Sequence, residues 1–521
     1  MKCINYILFG IIGWLFTSCS QVGLSDSDAI RIENGRFVDA QKRTIIWNGL
    51  NLVEKDPNKG YVQDIDEELF IQFKEWGINC VRYGIHWDGL EPEPGIYNEN
   101  YLAELDKRVR WARENNIYLV LDMHQDLYSR KFGNGAPVWA TLDEGLPHVT
   151  GKVWSDAYLM SPGVQKSFDN FWLNTPASDG IGIQDHYIST WKKLAERYAD
   201  STSVLGFDIM NEPFIGSDAP QIFQELLKGF ANYMVSQGMQ ISSEAEIGQL
   251  WMDDQKRSEA LSLVDDGDAF RFILKHAEQQ VNQFEENQLS TFYQKVRDTI
   301  RSTGNNKILF LEHNYFCNLG IESSFHFPVT ENGDKDELCA YAPHAYDLVV
   351  DTEGATHPGF KRLDTIFERI MHSAQHRKVP ILLGEWGAFY MGSNYAVPAL
   401  HHMKWIEQSL AGHTYWSWWT GIETQDYFHY VIARPYPQCV NGELIKYHFD
   451  AQTKSFTCIW EENESTAPTQ IFIPDMSLLS KENVQLSPLS SFEISRISEK
   501  SKGGYLLIKP VGKKRELRIV L

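Results

Sequence analysis

The chain carries no Cys-x-x-Cys pair, no His-Glu-x-x-His helix, no glycine-rich phosphate turn and no long Lys/Arg-rich run. Without the first two there is no motif for a bound metal, and without the third there is no fingerprint of nucleotide binding. Lacking a basic run and carrying a net charge of -21, the protein would repel nucleic-acid phosphates. The same charge opposes adsorption to anionic lipid. Cysteine is scarce, with seven in 521 residues, and Cys3 and Cys19 fall in the first nineteen. The other five, Cys80, Cys317, Cys339, Cys439 and Cys458, are an odd number and form no disulfide framework. Cys80, Cys317 and Cys339 sit in or near apolar runs and read as small buried side chains, whereas Cys439 and Cys458 could pair in an exported protein.

What the chain does have is core material. Apolar residues make up 43% of it, enough for one large domain plus a smaller one at this length. Its 16 Trp and 23 Tyr suit sugar-stacking platforms, although most belong in a core. Residues 1–19 read as a lipoprotein-type signal peptide: Lys2, an apolar run over 4–16, then Phe16-Thr17-Ser18-Cys19, with Cys19 as the lipidated residue. The run is too short to span a membrane comfortably, and plain secretion is the alternative. The expected location is therefore outside the cytoplasm of a bacterium, anchored by lipid at the periplasmic face or the cell surface.

From residue 20 to about 430, strand and helix patterns alternate. Strands are predicted over 45–53, 80–85, 118–124, 204–212, 308–313, 339–346, 380–385 and 414–419, and helices over 66–76, 101–115, 183–198, 363–377 and 399–410. Eight strands with interleaved helices predict an α/β fold, a (β/α)8 TIM barrel. Residues 215–303 are a helix-prone insertion, too long for a structureless loop. In it Ile222, Phe223, Leu226, Leu227, Phe230, Tyr233 and Met234 recur at helical spacing. That stripe reads either as the packed face of a helix or as an apolar lip beside the cleft. Over 431–521 only short strand-like runs remain (444–450, 455–460, 470–473, 492–497, 504–510 and 516–521), which predicts a C-terminal antiparallel β-sandwich.

The chemistry concentrates at two strand ends. The stretch 204–214, VLGFDIMNEPF, is an apolar strand closed by Asn211-Glu212-Pro213, since Pro213 cannot donate to a ladder. The stretch 380–387, PILLGEWG, ends in the same way on Glu385. Carboxylates at the C-terminal mouths of two barrel strands are the equipment for glycosidic bond cleavage. A Glu212 kept among apolar neighbours favours its acid form. Glu385 must stay ionised, with Arg82 and Tyr346 as donors, and the Asn211 amide could reach a sugar hydroxyl.

These motifs, with Arg82 in VRYG, DMH at 122–124, HAY at 344–346 and the Trp-rich 415–419, resemble glycoside hydrolase family 5 of clan A. The resemblance implies a retaining mechanism with Glu212 as acid/base and Glu385 as nucleophile, their carboxyl groups about 5–5.5 Å apart. NLVEK (51–55), HWDGLEPEPGIYNENYL (86–102), LDMHQDLYSRKFGNGAPVWA (121–140), APHAYD and RPYPQ look like the endoglycoceramidase-like members of that family, which free an intact glycan from a glycosphingolipid. Carried over, Lys55 and Asp126 contact the first sugars, as do Trp172 and Trp416, and Arg82, His124, Asn211, His344 and Tyr346 complete the substrate-binding set. The insertion at 215–303 exceeds what that group carries. No metal or organic cofactor is implied. The expected partners are a glycosphingolipid or other β-glycoside, a membrane through Cys19, and no second subunit, the chain acting as a monomer.

Other readings use the same residues. The substrate could be glucosylceramide, a steryl glucoside or a β-glucan, and the least favoured reading is a non-catalytic glycan-binding barrel. Lys55 and Asp126 could be an ordinary ion pair, His124 and His344 core histidines, and Trp416 barrel packing.

Overall fold

A computed structural model describes residue 24 and residues 29–238, 253–389, 394–480 and 482–521; residues 1–19, read above as a signal peptide ending at Cys19, lie outside the described residues. Three short strands open the fold, Arg31–Glu33 (β1), Arg36–Val38 (β2) and Arg43–Ile45 (β3). They do not belong to the barrel. Cys439, far downstream, pairs with Ile45, so β3 joins the C-terminal sheet and the barrel begins at Asn48.

The barrel strands are Asn48–Leu52 (β4), Cys80–Ile85 (β5), Tyr118–Met123 (β6), Val204–Asp208 (β7), Ile308–Leu311 (β8), Cys339–Tyr341 (β9) with its short continuation His344–Ala345 (β10), Leu382–Leu383 (β11) continued by Glu385–Trp386 (β12), and Gly412–Tyr415 (β13). All pair in parallel, β13 returns to β4, and a parallel bridge from Tyr341 to Ile381 closes the ring. Both faces of these strands are covered, which is why they read as continuous apolar runs. Alternation then places the charge. Cys80, Val120 and Phe310 fill the lower interior, and two residues further along the same strands Arg82, Asp122 and Glu312 form the layer above. Phe37 and Trp47 plug the lower end, against Phe310 and Tyr118.

The expected outer helices are present, including Glu67–Glu75, Glu99–Glu114, Ile183–Arg197, Phe360–Arg377 and Ala396–Ser409. Asp66 and Asn98 cap the first two, accepting from Glu68 and Tyr101 N–H groups. The described residues of the insertion are mostly helical: Ala219–Ser236, Asp254–Leu263, Gly267–Leu274 and Glu278–Phe284, followed by a π turn at Glu285–Leu289. Its last helix, Ser290–Ser302, is a barrel helix, since Phe292 lies 5.8 Å from Tyr187 and Lys295 donates to Gln184. No helix among the described residues is long and apolar enough to cross a membrane.

The C-terminal strands are Tyr436–Asn441 (β14), Glu443–Asp450 (β15), Ser455–Glu461 (β16), Thr469–Ile473 (β17), Val484–Ser487 (β18), Phe492–Arg496 (β19), Gly504–Ile508 (β20) and Lys514–Val520 (β21). They form two sheets, β1-β2-β3-β14-β17-β20-β19 and β15-β16-β21-β18. Phe456, Cys458 and Trp460 alternate inward along β16, against Leu517 and Ile519 of β21. No disulfide joins Cys439 and Cys458, because β14 and β16 lie in different sheets and Cys458 is spent as a core side chain. The sandwich docks tightly on the barrel. Gly77 (φ 80°) leaves room for the Phe472 ring, where a Cβ would come within 2.4 Å, and Tyr436 donates to its carbonyl.

Candidate active site

Arg82 organises the upper barrel. Fully buried, its guanidinium donates through Nε to Asp208 (2.8 Å), through Nη1 to Asn51 (3.0 Å) and Glu385 Oε1 (2.7 Å), and through Nη2 to Asn211 (2.9 Å) and Glu312 Oε1 (2.8 Å), with Asp122 Oδ1 at 2.9 Å. Asp122, Asp208 and Glu312 crowd closely enough to hold a cation, and Arg82 is that cation. One positive charge does not balance the layer: burial, then the nearby Glu312, pushes the Asp208 carboxyl well above its usual range.

Glu385 and Glu212 stand above this layer. Glu385 Oε2 accepts from the Tyr346 hydroxyl at 3.0 Å, so both oxygens of the carboxylate are held by donors. Glu212 follows β7 in the left-handed region, φ 45°, with its N–H on Glu312 Oε2 at 2.8 Å. Glu212 Oε1 accepts from His344 Nδ1 (3.0 Å) and Asn318 Nδ2 (2.7 Å). Burial raises the Glu212 carboxyl pKa, against the pull of His344. Burial would keep His344 neutral, yet Glu312 and Glu385 outweigh it and lift the imidazole well above its usual value. One oxygen of Glu212, one of Glu385 and a nitrogen of His344 lie within 4.8 Å of one another. That spacing suits direct attack by a carboxylate and falls short of the about 6.5–9.5 Å that an interposed water requires.

One wall of the cleft is built from three loops. Lys55 meets Asp126 at 2.7 Å and lies 4.4 Å from the centre of the Trp416 ring. Trp416 in turn stacks on His124, 5.3 Å between centroids. Burial opposes charge on His124, but Asp122 at 2.8 Å raises its pKa to about 9. Asn211 lies below the wall with its amide engaged at both ends, by Arg82 and by the Gln125 carbonyl. The resulting cavity holds about 110 Å³ and touches Glu212, Glu385, Lys55, His124, Asp126 and Trp416.

A second cavity of about 200 Å³ adjoins it, walled by Phe223, Leu226, Leu227 and Phe230 of the insertion's first helix and by Phe270 and Leu274 of its helix Gly267–Leu274. Ser155, Tyr315, Leu319 and Val350 line both, so the polar and apolar spaces share a wall. Four residues of the helical stripe predicted from sequence, Phe223, Leu226, Leu227 and Phe230, thus face a chamber beside the cleft, while Ile222 turns into the core and Met234 is buried.

Residues 38–421 match the cellulase model of glycosyl hydrolase family 5, and residues 434–519 match the family's C-terminal domain. The chain belongs to glycoside hydrolase family 5. As a family 5 enzyme it is a retaining O-glycosyl hydrolase, in keeping with the carboxylate spacing. It is similar to endoglycoceramidase I of Rhodococcus hoagii (strain 103S), 23% identical over 86% of this chain and 80% of that one. It is also similar to an endoglycoceramidase of Cyanea nozakii, 31% identical over 36% of this chain and 42% of that one. Its fold matches endo-glycoceramidase II from Rhodococcus sp., solved with ganglioside GM3, at a TM-score of 0.71 and 24% identity over 94% of this chain and 99% of that one.

Within this family 5 site the structure gathers every residue expected from sequence except Trp172. Its indole donates to the Phe214 carbonyl and packs on Phe284 and Phe292, so it ties the insertion to the barrel rather than facing sugar. Beside Trp416, the cavity is lined by Trp154, 44% exposed, with its Nε1 on Asp351 at 2.9 Å. Glu312 was also missed, although it ends the strand LFLE as Glu385 ends PILLGE. Asn318 sits on a short 3-10 turn, Tyr315–Leu319, with no sequence signal.

Proposed function

We propose that this family 5 enzyme hydrolyses the bond between a glycan and a ceramide-like lipid. The observation that carries this reading is the apolar chamber sharing a wall with the two-carboxylate cavity. A glucan chain has no use for an aliphatic and Phe-lined pocket beside the scissile bond, whereas a lipid aglycone does. The relatives named endoglycoceramidase point the same way.

In the proposed mechanism Glu385 attacks the anomeric carbon with its charge held by Arg82 and Tyr346. Glu212 gives its proton to the departing glycosidic oxygen, and the lipid alcohol leaves toward the chamber. Glu212, now a base, takes a proton from water as that water attacks the glycosyl-enzyme and frees Glu385. Lys55, Asp126 and His124 bind sugar hydroxyls against the Trp416 face.

A second reading has support in the size of the polar cavity, about 110 Å³, closed on one side by the Trp154–Asp351 bond. It favours a short glycan, as on glucosylceramide or a steryl glucoside. Phe230→Glu separates a lipid aglycone from any other. The proposal expects kcat/KM for lactosylceramide to fall at least about tenfold, the cost of misplacing roughly one buried apolar side chain, with p-nitrophenyl β-lactoside little affected. Equal losses on both substrates would reject it.

A further inference from the structure

Glu285 is a fully buried carboxylate in the π turn that ends the insertion, far in sequence from either glutamate of the mechanism. It accepts from Asn314 N–H (2.7 Å), Ser323 Oγ (2.9 Å), Phe325 N–H (3.1 Å), Ser324 N–H and the Cys317 thiol (3.4 Å). All five donors belong to the segment after β8, which is thereby drawn round a single anion. Carboxylates so buried persist only with such a set of donors. Asn314 adds a bond to the Pro213 carbonyl (2.9 Å), directly beside Glu212.

The segment between these anchor points presents Asn318 to Glu212. Asn318 Nδ2 donates to Glu212 Oε1 at 2.7 Å, and its Oδ1 meets His313 Nε2 at 2.8 Å. The Tyr341 hydroxyl stands 2.7 Å from His313 Nδ1. Burial pushes the His313 pKa down to about 3, so the ring is neutral. With Tyr341 donating to Nδ1, the proton on Nε2 is given to Asn318 and the amide nitrogen must face Glu212. Two donors, Asn318 and His344, therefore converge on Oε1 of Glu212. None of the described hydrogen bonds reaches Oε2, which leaves that oxygen to carry the transferable proton into the cleft.

We propose that Asn318 is a positioning residue that sets the protonation of Glu212 and the oxygen that carries its proton, and that Glu285 holds Asn318 in place. This rests on Glu212 being the acid/base. The other groups that bear on Glu212 are His344, Glu385, Glu312, Lys55, Tyr315 and Tyr158. Tyr315 shares the 3-10 turn with Asn318, and the others come from other strands and loops. A donor to the carboxylate favours the anion, so its removal raises the pKa of the acid.

The test titrates Glu212 in the full-length protein by 13C NMR of carboxyl-labelled glutamate, with its signal identified through Glu212→Gln. Asn318→Ala is expected to move this titration, and the alkaline limb of kcat/KM for p-nitrophenyl β-lactoside, upward by about one pH unit. Asn318→Asp should move both further, and Glu285→Gln in the same direction by less. A lowered melting temperature with neither the titration nor the limb displaced would reduce Asn318 to a structural residue and overturn the proposal. The NMR titration needs no substrate: a shifted Glu212 signal with an unmoved pH limb would instead discredit Glu212 as the acid.

Discussion

Glu312 accepts the backbone N–H of Glu212 at 2.8 Å through one oxygen and Arg82 Nη2 at 2.8 Å through the other. One carboxylate thus fixes the left-handed backbone of Glu212 and the guanidinium that holds Glu385. Glu312→Ala removes one of several acceptors from Arg82 Nη2 and leaves the buried Glu212 N–H without its acceptor. The expected loss is about 1–3 kcal/mol of folding stability, read by urea denaturation. A loss below about 0.5 kcal/mol, the level of an ordinary surface change, would mean that Glu312 is not part of the buried network.

Glu212→Gln and Glu385→Gln should differ in kind. Without an acid/base, turnover of lactosylceramide is expected to fall by about 10²–10⁴-fold, while 2,4-dinitrophenyl β-lactoside, whose leaving group needs no proton, still gives a burst of phenolate. Without a nucleophile neither substrate should react. A burst from Glu385→Gln and none from Glu212→Gln would reverse the two roles.

His124 gives a pH test of stability. Its folded pKa, about 9, lies above the usual 6.5 because the attraction of Asp122 exceeds the cost of burial. The pair's contribution is therefore complete below about pH 6.5 and lost as pH rises through about 9, up to about 3 kcal/mol in all. Urea midpoints between pH 6 and 9.5 should fall in the wild type and fall less in His124→Asn. Parallel curves would show that His124 is neutral in the folded protein.

The two tryptophans at issue predict opposite outcomes. Trp172→Ala removes an aromatic packed between Phe284 and Phe292 and should cost about 3–5 kcal/mol of stability, with KM close to wild type. Trp154→Ala, at a half-exposed position on the cavity, should leave the melting temperature nearly unchanged and raise KM for the glycan several-fold. An interchange of the two effects would restore Trp172 to the sugar wall.

Strand-end motifs made most of this legible in the sequence. Val204 to Glu212 and Pro380 to Glu385 combine a buried apolar run with a chain-stopping turn, and that pattern survives without knowledge of the neighbours. What stayed hidden depends on long-range packing. Residues 31–45 look like any N-terminal strands, and only the pairing of Ile45 with Cys439 assigns them to the sandwich. Trp172 and Trp154 both lie between β6 and β7, and composition cannot say which faces the cleft; the choice is made by Phe284 and Phe292, more than a hundred residues downstream. Asn318 gains its role only when Glu285 gathers the segment around it.

The most direct measurement is the product of the reaction. Purified protein is incubated with detergent-solubilised lactosylceramide, glucosylceramide and a ganglioside, and the products are analysed by mass spectrometry. Free ceramide together with the intact oligosaccharide is the predicted result. Stepwise loss of monosaccharides, or no ceramide from any of the three lipids, would contradict cleavage at the lipid linkage.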